Sequence, residues 1–411
     1  MIADAMDAFL AAHHSELIYF RRHLHQHPEL AHLEHETTAM VSRRLEAAGL
    51  QPRLLTSGTG LVCEVGAGDG PVVALRADLD ALPLRDEKEV PYRSRRQGVC
   101  HACGHDLHTT VLLGAGLALA ERAEGLGSGR VRLVFQPAEE TARGSLSVIE
   151  DGYLDDVDVI YGLHCDPKLE VGELGTREGA ITAACDHVDL LVSGPGGHTG
   201  RPHATADVIY ATCRCISELP AALSRLVDAR SALGVTFGAL NAGSSPSVMP
   251  TRAVARGTVR VLDRQTWEEA PALIERMIAE TVAPLGVSWR LDYQRGSPPV
   301  VNDREATAVL RDAAVAVLGD AAVLEAPQSL GGEDFAWYLE RVPGSLARLG
   351  TRIPGTDLDL HAGQFDADER AIPVGIRLLA ETAVRALAHY DEGRPGRTSP
   401  PTAPAPGEVE P

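Results

Sequence analysis

Residues 100–108 read Cys-His-Ala-Cys-Gly-His-Asp-Leu-His, which places two thiols, three imidazoles and one carboxylate within nine positions. Buried polar groups cost free energy unless they have partners, so a packed core has no use for this mixture. The usual partner for clustered Cys, His and Asp side chains is a metal ion. The stretch therefore predicts a metal site, and the fold around it has to bring further ligands to the same place.

Three other interpretations of this stretch can be tested on its letters. A c-type haem attachment needs Cys-x-x-Cys-His, but Gly104 follows Cys103. A zincin helix needs His-Glu-x-x-His, and this string does not occur in the sequence. A redox pair of Cys100 and Cys103 stays open, although it leaves the three imidazoles without a role.

On either side of this stretch, the first 180 residues alternate between helical patterns and short apolar runs. Helical spacing covers residues 3–26, 36–48 and 109–123, and apolar runs that suit strands cover 60–65, 72–75, 131–135 and 157–163. Near-continuous apolar runs are typical of strands buried on both faces. Right-handed crossovers between such strands predict a largely parallel sheet, so the predicted fold class is α/β.

Polar side chains follow three of these predicted strands. Arg76, Asp78 and Asp80 come after the run at 72–75. Glu139 and Glu140 follow another strand, and His164 follows a third. In open α/β sheets ligands bind outside the carboxyl ends of the strands, so we expect these groups to meet at one edge.

A different order begins near residue 183. Strands are predicted at 187–192, 233–240, 253–262 and 287–291, with helices at 204–219 and 267–283. This β-α-β-β-α-β order is that of ferredoxin-like α+β domains. We predict a metal-binding catalytic domain of residues 1–182 and 296–392, with residues 183–295 inserted as a second domain. Residues 393–411 are rich in Pro, Gly, Ser and Thr and are predicted to be a disordered tail.

The composition excludes several classes of partner. The 411 residues carry a net charge of -19, whereas nucleic acid and anionic membranes need a basic surface. No run of about 18 apolar residues occurs, so no membrane span is expected. Seven cysteines, an odd number in a long chain, favour reduced thiols over a disulfide framework. Residues 1–10 lack the pattern of a signal peptide, and we expect a cytoplasmic protein.

The adjacent carboxylates Glu139 and Glu140 allow two chemical roles. One carboxylate can bind a metal ion. Its neighbour can then act as a general base that takes a proton from metal-bound water, whose pKa the ion lowers toward about 7. This division of roles is the reason a hydrolytic centre needs two acids at one turn.

Two further histidines, His164 and His361, are each weak evidence alone. With the other candidates they form a ligand set that is too large for one ion. The candidate ligands are Cys103, His105, Glu140, His164 and His361. A catalytic ion keeps one coordination position open, so five protein ligands suit two ions about 3.5–4 Å apart. Cys103 is a plausible bridge, because a coordinated thiol is deprotonated and can serve both ions. These S, N and O donors admit zinc or manganese, and cobalt or nickel also fit.

Eight groups of residues, in chain order, match the motifs of one protein family. They are RRHLH (21–25), RADLDALP (76–83), HACGHD (101–106), FQPAEE (135–140), GLH (162–164), GH with PH (197–198 and 202–203), GGEDF (331–335) and LH (360–361). With these motifs the chain resembles the M20 metallopeptidase superfamily, and within it the amidohydrolase branch. That branch includes hippurate hydrolases, N-acyl-amino-acid amidohydrolases and plant auxin-conjugate hydrolases.

The resemblance implies a dinuclear metal centre held by the five candidate ligands, with Glu139 as the general acid and base. It also implies an inserted lid that mediates dimerisation. A lid histidine, His198, would approach the substrate, often from the partner subunit, and stabilise the oxyanion. Arg76 stands where distant members carry a metal-binding histidine, a replacement that the branch shares, and Asp78 beside it is expected to support the ligands. Ser247 stands where the branch often has an Asn, and we expect it to contact the substrate with a shorter reach.

We predict a cytoplasmic, dinuclear-metal amidohydrolase in which metal-bound hydroxide attacks the amide of an N-acyl amino acid or a related small conjugate. A dipeptidase or a diamino-acid deacetylase of the same superfamily is the alternative, with the same chemistry and a different pocket. A non-catalytic metal-binding or assembly protein is a further alternative. The expected partners are a small-molecule substrate and further copies of the chain, in a homodimer or higher homo-oligomer, with no nucleic acid and no membrane. Cys100, Cys213 and Cys215 receive no predicted role.

Overall fold

A computed structural model describes residues 2–392 of the chain, and the predicted tail at 393–411 lies outside the described residues. The helices of the described part are α1 (Ile2–Gln26), α2 (His35–Ala47), α3 (His105–Ala120), α4 (Gly144–Glu150), α5 (Val208–Leu226), α6 (Arg264–Val282), α7 (Arg304–Leu318), α8 (Ala336–Leu339) and α9 (Ala371–Glu392). The strands are β1 (Arg53–Leu54), β2 (Leu61–Val65), β3 (Val72–Asp78), β4 (Arg130–Gln136), β5 (Val159–Glu170), β6 (Leu174–Thr176), β7 (Gly179–Thr182), β8 (Ala184–Ser193), β9 (Gly197–His198), β10 (Gly234–Ala242), β11 (Val248–Met249), β12 (Arg252–Val261), β13 (Ser288–Ser297), β14 (Val300–Asn302), β15 (Val323–Glu325) and β16 (Gly344–Arg352).

The largest sheet has eight strands in the order β1-β2-β4-β3-β5-β16-β6-β15. The pairs β4/β3, β3/β5, β5/β16 and β6/β15 are parallel. The remaining neighbours, β1/β2, β2/β4 and β16/β6, are antiparallel. The predicted α/β class with a mostly parallel central sheet is thereby confirmed.

Strand β3 shows why the sheet needs unbroken apolar runs. All of its residues are buried. Val73 and Leu75 pack into a core with α3 and α9, while Val72 and Ala74 pack into a second core with α4 and α8. Successive side chains of a strand point to opposite faces of the sheet. Because helices cover both faces, apolar residues are required at consecutive positions.

A second sheet, of order β10-β12-β8-β13, has only antiparallel neighbours among the described strands. Helices α5 and α6 pack on one face, against alternate residues of β8 such as Val188 and Leu190. The elements follow the predicted β-α-β-β-α-β order, and the sheet runs from Ala184 to Ser297. The division of the chain into domains at 183 and 295 stays a prediction.

Among the element boundaries that differ from the predicted ones, three differences move site residues into regular structure. Helix α3 begins at His105 and not at residue 109, because Gly104 has a left-handed φ of 85° that turns the chain into the helix. Strand β3 continues to Asp78, since its ladder with β4 extends that far. Strand β5 continues through His164 to Glu170 along β16. Hydrogen-bonded backbone therefore holds these side chains in place.

Two further predictions concern the chain as a whole. Within residues 2–392, no helix combines the length and the apolarity that crossing a membrane requires. The seven cysteines are free thiols; Cys213 is exposed on α5, and Cys215, two residues on, is buried. Neither of these two thiols contacts the metal-ligand groups described below.

Buried charges connect α1 and α3 to the segment before α9. Nη2 of the fully buried Arg21 donates a hydrogen bond to Asp366 Oδ1 at 2.7 Å. Its Nε lies 2.7 Å from Asp106 Oδ2, as an ion pair whose angle is not that of a hydrogen bond. His25 Nδ1 lies 2.8 Å from the same oxygen of Asp106. Arg21 therefore neutralises carboxylates from two other parts of the chain.

We expect Arg21→Leu to lower the free energy of unfolding by about 3–5 kcal/mol, because it leaves buried carboxylates without their partner. The matched control is Arg22→Leu, since the Arg22 side chain is 46% exposed and pairs with Glu369 at 2.7 Å. An exposed pair contributes at most about 1 kcal/mol. Urea unfolding of both variants at one metal concentration measures the difference. Equal losses would show that burial of the Arg21 network does not matter.

Candidate metal centre

A cavity of about 690 Å³ is lined by residues that follow the carboxyl end of β4 and by residues from the middle of β5. The predicted site residues in its lining are Cys103, Glu139, Glu140, His164 and His361. His105 is fully buried beside them. The structure thus brings the five candidate ligands and the candidate base close together, although His164 lies within β5 and not after its end.

The turn before α3 points Cys103 and His105 toward the same site. Gly104 between them has a positive φ, and a Cβ added there would lie 2.5 Å from Cys165 Sγ. Only glycine fits this position, for both backbone and packing reasons. Sγ of Cys103 lies 3.4 Å from His164 Nε2, so the thiol of the turn faces the imidazole on β5.

His164 is held in the tautomer that a metal ligand needs. Its Nδ1 lies 2.8 Å from the carbonyl oxygen of Cys165 and donates the ring proton to it. Nε2, which faces Cys103, then carries a lone pair. Burial, together with the positive charge of Arg348, lowers the pKa of His164 well below its usual value and keeps the ring neutral.

His108, the third imidazole of residues 100–108, has both nitrogens occupied. Nδ1 lies 2.7 Å from Asp78 Oδ1, and the backbone N–H of Cys165 donates to Nε2 at 2.7 Å. The other oxygen of Asp78 accepts from Arg76 at 2.7 Å and lies 3.7 Å from His105 Nε2. Asp78 therefore lies behind the candidate ligands, where its predicted supporting role would place it.

The Glu139–Thr141 turn is fixed by two acids from other parts of the chain. Asp80 accepts hydrogen bonds from the backbone N–H groups of Glu139 at 3.1 Å and of Glu140 at 3.0 Å. Glu34 accepts from the N–H of Ala138 at 2.8 Å, and Ala138 has a left-handed φ of 54°. Neither backbone contact was predicted from the sequence. The position of Asp80, two residues after Asp78, could have indicated that it lies at the site, whereas nothing in the sequence around Glu34 indicates this.

Glu140 and His361 form the outer side of the centre. Glu140 Oε1 lies 3.4 Å from His361 Nε2 and 3.9 Å from His105 Nε2. The backbone N–H of His361 donates to Ala102 O at 2.8 Å, which ties this distant loop to residues 100–108. His361 has a left-handed φ of 59°, and its side chain is 54% exposed. Of the five candidate ligands, it is the one most open to solvent.

Glu139 lies beside these contacts, in an acidic environment, and forms a further group of possible ligand atoms with His105 and Glu140. Its Oε2 is 3.9 Å from His105 Nε2, and its Oε1 accepts a long hydrogen bond of 3.4 Å from the N–H of Asp334. Burial, followed by the charges of Glu333 and Glu140, raises the pKa of Glu139 well above its usual value. A carboxyl group with a raised pKa takes up and releases a proton near neutral pH more readily than an ordinary glutamate.

The donor set fits a divalent cation. Cys103 Sγ belongs with His105 and His164 to a group of ligand atoms within 4.8 Å of one another, and with Glu140 and His361 to another such group. His105 Nε2 and Glu140 Oε1 are buried without hydrogen-bond partners, and such atoms cost free energy unless something binds them. Burial raises the pKa of the Cys103 thiol to about 12, so that metal binding has to displace its proton.

The two predicted lid residues lie elsewhere. His198 on β9 pairs with Val248 on β11, and the N–H of Thr199 donates to Ser247 O at 3.2 Å. Both His198 and Ser247 are exposed, and neither is part of the cavity lining formed by residues 2–392 of the same chain. One chain alone therefore does not bring them to the candidate centre.

A buried carboxylate beside a cation site at the edge of an α/β sheet is the arrangement of a metal-dependent hydrolase. Comparison with known proteins supports this class and identifies a family within it. The sequence model of peptidase family M20/M25/M40 matches residues 74–385. The chain belongs to this family, as its motifs predicted.

Three similar proteins illustrate the range of the family. The chain is 48% identical over 366 residues to a Rhodococcus jostii (strain RHA1) protein named putative glutamate–cysteine ligase 2-3, in a match that covers 89% of the chain. That match covers 46% of the relative, so the chain spans less than half of its length. Identity is 39% over 380 residues to N-acetyl-L-cysteine deacetylase of Bacillus subtilis (strain 168), covering 92% of the chain and 90% of that protein.

A solved structure is similar throughout. It is the Bacillus subtilis YXEP protein, described as a dinuclear metal binding peptidase from the M20 family. The TM-score is 0.82 at 35% sequence identity, over 92% of this chain and 99% of that one. The two proteins therefore share one fold over nearly the whole of both chains.

We expect Cys103→Ala to lose bound metal, because Cys103 is the member that both ligand groups share. Cys100→Ala is the matched control, since Cys100 is buried three residues away and belongs to neither group. Elemental analysis of the purified variants gives the metal content per chain. If Cys103→Ala keeps its full metal content, Cys103 is not a metal ligand. Metal loss in both variants would instead show that the metal site also depends on Cys100, whereas the redox pair predicts no bound metal in the wild type and a reversible disulfide.

Proposed function

We propose that the protein is an amidohydrolase that uses two divalent ions, zinc or manganese, to cleave the amide bond of N-acyl amino acids. The observation that carries this proposal is the carboxylate of Glu139. It lies beside the ligand groups, 3.9 Å from His105 Nε2, and is not needed to complete either group that shares Cys103. A free acid beside a cation site serves proton transfer, which amide hydrolysis requires.

Two overlapping ligand groups support two ions in place of one. The residues that would hold them are Cys103, His105, Glu140, His164 and His361. Cys103 is common to the groups with His164 and with His361, so its thiolate would contribute to holding both ions. Bound divalent ions would supply charge that polarises the amide carbonyl and lowers the pKa of water.

Glu139 is proposed to move the proton. It would take a proton from the attacking water and pass it to the leaving nitrogen, so that one carboxyl group acts first as base and then as acid. Asp80 and Glu34 fix the backbone of its turn, and Asp334 holds one of its oxygens. The other oxygen, Oε2, remains directed at the centre.

An N-acyl amino acid is the proposed substrate because a relative 39% identical in sequence is named N-acetyl-L-cysteine deacetylase. A cavity of about 690 Å³ also suits a small molecule. A dipeptidase or a diamino-acid deacetylase would use the same centre, and a substrate panel separates the three. We place the enzyme in the cytoplasm, where a thiol such as Cys103 stays reduced.

We propose further that residues 183–295 act as a lid through which two copies of the chain associate. Strand β10 pairs with β12 on one side only, among the described strands, and leaves its other edge open. Exposed large apolar residues of the same region are Ile209, Tyr210, Leu226, Leu240 and Val248. A second copy would cover these groups, since open edges and apolar surface favour association. Association would let His198 and Ser247 serve the cavity of the partner subunit.

We expect Glu139→Gln to lower turnover by at least about a hundredfold while the metal content stays unchanged, because only the proton carrier is lost. Glu140→Gln is the matched neighbour and should lose metal, since Glu140, unlike Glu139, forms a ligand group with Cys103 and His361. Release of free amine from N-acetyl and N-benzoyl amino acids, dipeptides and N-acetyl diamino acids gives the rates. Wild-type turnover in Glu139→Gln would refute the proposed role.

Mixed dimers test whether His198 acts across subunits. A dimer of one Glu139→Gln chain and one His198→Ala chain keeps one complete site if His198 serves its partner. We then expect about half of the wild-type activity from the doubly tagged, purified mixed dimer, and almost none from either mutant homodimer. If His198 serves its own chain, both sites are defective and the mixed dimer is inactive as well. A monomeric wild-type protein would also refute the arrangement.

A further inference from the structure

The histidines of the chain are concentrated near its beginning. Seven of the 16 lie between residues 13 and 35, and the proposed metal centre uses none of these seven. His25 has a partner in the core, because its Nδ1 lies 2.8 Å from Asp106 Oδ2. His23 and His27 stand two residues before and after it, so they lie on the other side of the helix. These two imidazoles have no role in the core or in the proposed mechanism.

His23 and His27 form a close pair at helical spacing. The backbone N–H of His27 donates to His23 O at 3.1 Å, so the last turn of α1 continues as far as His27. The centroids of the two rings are 4.3 Å apart. Two histidines four residues apart on a helix lie on one face, and this is the spacing at which a pair of imidazoles binds a single ion.

A hydrogen bond to the backbone fixes the ring of His27. Its Nδ1 lies 2.9 Å from His23 O, and because a carbonyl oxygen can only accept, Nδ1 carries the ring proton. Nε2 is then left with a lone pair. Histidines that bind metal ions are commonly oriented in this way, by a hydrogen bond from the other ring nitrogen to a backbone carbonyl. The ring of His27 is therefore prepared for a ligand role before any ion is bound.

Both rings line a cavity of about 380 Å³, whose remaining lining comes largely from α2. His35, the first residue of α2, lines the same cavity, and no hydrogen bond or ion pair within residues 2–392 involves its ring. One carboxylate, that of Glu36, belongs to the lining, and it pairs with Arg96 at 2.8 Å. The donors that this cavity offers to an ion are therefore imidazoles and not carboxylates.

We propose that His23, His27 and His35 form a separate metal site that binds one divalent transition-metal ion of the zinc, nickel or copper type. Imidazole suits these ions, whereas magnesium and calcium prefer oxygen donors. Among the described residues, the three histidines do not form one of the groups whose ligand atoms all lie within 4.8 Å of one another. The ion has to draw His35 toward the pair on α1, so we expect a dissociation constant in the micromolar range.

An ion at this site would hold the end of α1 to the beginning of α2. Helix α1 ends at Gln26 and α2 begins at His35, so a short connection without helical structure separates the ligands. A ligand that binds only the folded arrangement of two helices stabilises that arrangement. The lining of this cavity shares no residue with that of the proposed metal centre. The role of the site is therefore to stabilise the packing of the two helices and not to hydrolyse a substrate.

Metal content tests the site directly. The metal-loaded enzyme is dialysed against micromolar Zn²⁺, and metal ions per chain are measured by elemental analysis. The wild type should retain one ion per chain more than His23→Gln/His27→Gln. His13→Gln/His14→Gln is the matched control and should keep the additional ion, because it removes two histidines of the same helix that do not line the cavity. Equal metal content in the wild type and His23→Gln/His27→Gln would overturn the site, as would an equal loss in the control.

Thermal unfolding separates loss of the ion from a folding defect. Added Zn²⁺ should raise the Tm of the metal-loaded wild type by a few degrees and leave that of His23→Gln/His27→Gln unchanged, and Mg²⁺ should raise neither. His35→Gln changes an exposed position, so it should fold normally and bind the additional zinc ion about tenfold more weakly. Wild-type affinity in His35→Gln would overturn the link between the two helices. Competition by Mg²⁺ at concentrations similar to those of Zn²⁺ would overturn a site made of imidazoles.

Discussion

The buried guanidinium of Arg76 is the constraint on which the candidate metal centre depends. It lies 2.7 Å from Asp78 Oδ2, 3.1 Å from Glu333 Oε1 and 3.0 Å from Asp334 Oδ1. Carboxylates buried this close would otherwise take up protons or leave the core, because like charges in a medium of low dielectric constant repel strongly. One arginine therefore lets several acids pack around Glu139. Burial, and after it the negative charge of neighbours such as Glu333, raises the pKa of Glu139, which suits a group that exchanges protons.

The parts of the site that could be predicted are those in which unusual chemistry lies close together in sequence. Cys103, with the thiols and imidazoles around it, has no structural use except as a ligand, and Glu139 follows an apolar strand. The turn contact from Glu34 could not be predicted, because it joins Ala138 to an acid 104 residues away. The position of Arg348 opposite His164 could not be predicted either. A single arginine in an apolar strand forms no recognisable sequence pattern, and only the pairing of β16 with β5 places it beside a candidate ligand.

Charge is divided within the cavity in a way that the overall composition conceals. The chain carries a net charge of -19, which repels anionic compounds at distances up to the screening length of about 8–10 Å. The cavity lining contains cations, among them Lys168 and Arg348, as well as acids such as Glu139 and Glu140. The long-range field and the local charge therefore oppose each other for an acidic substrate. Recognition of such a substrate has to come from contact and not from steering.

Gly104 has a consequence for how distant relatives of this chain can be found. Its φ of 85° and the sulfur that would lie 2.5 Å from any Cβ exclude every side chain, for reasons unrelated to metal chemistry. More residue types are compatible with the two positions beside Gly104, because thiol, imidazole and carboxylate groups can all bind a cation. Drift in sequence could exchange one donor for another while the turn kept its shape. In remote sequences with this architecture, the glycine is therefore a firmer marker of the site than either ligand that flanks it.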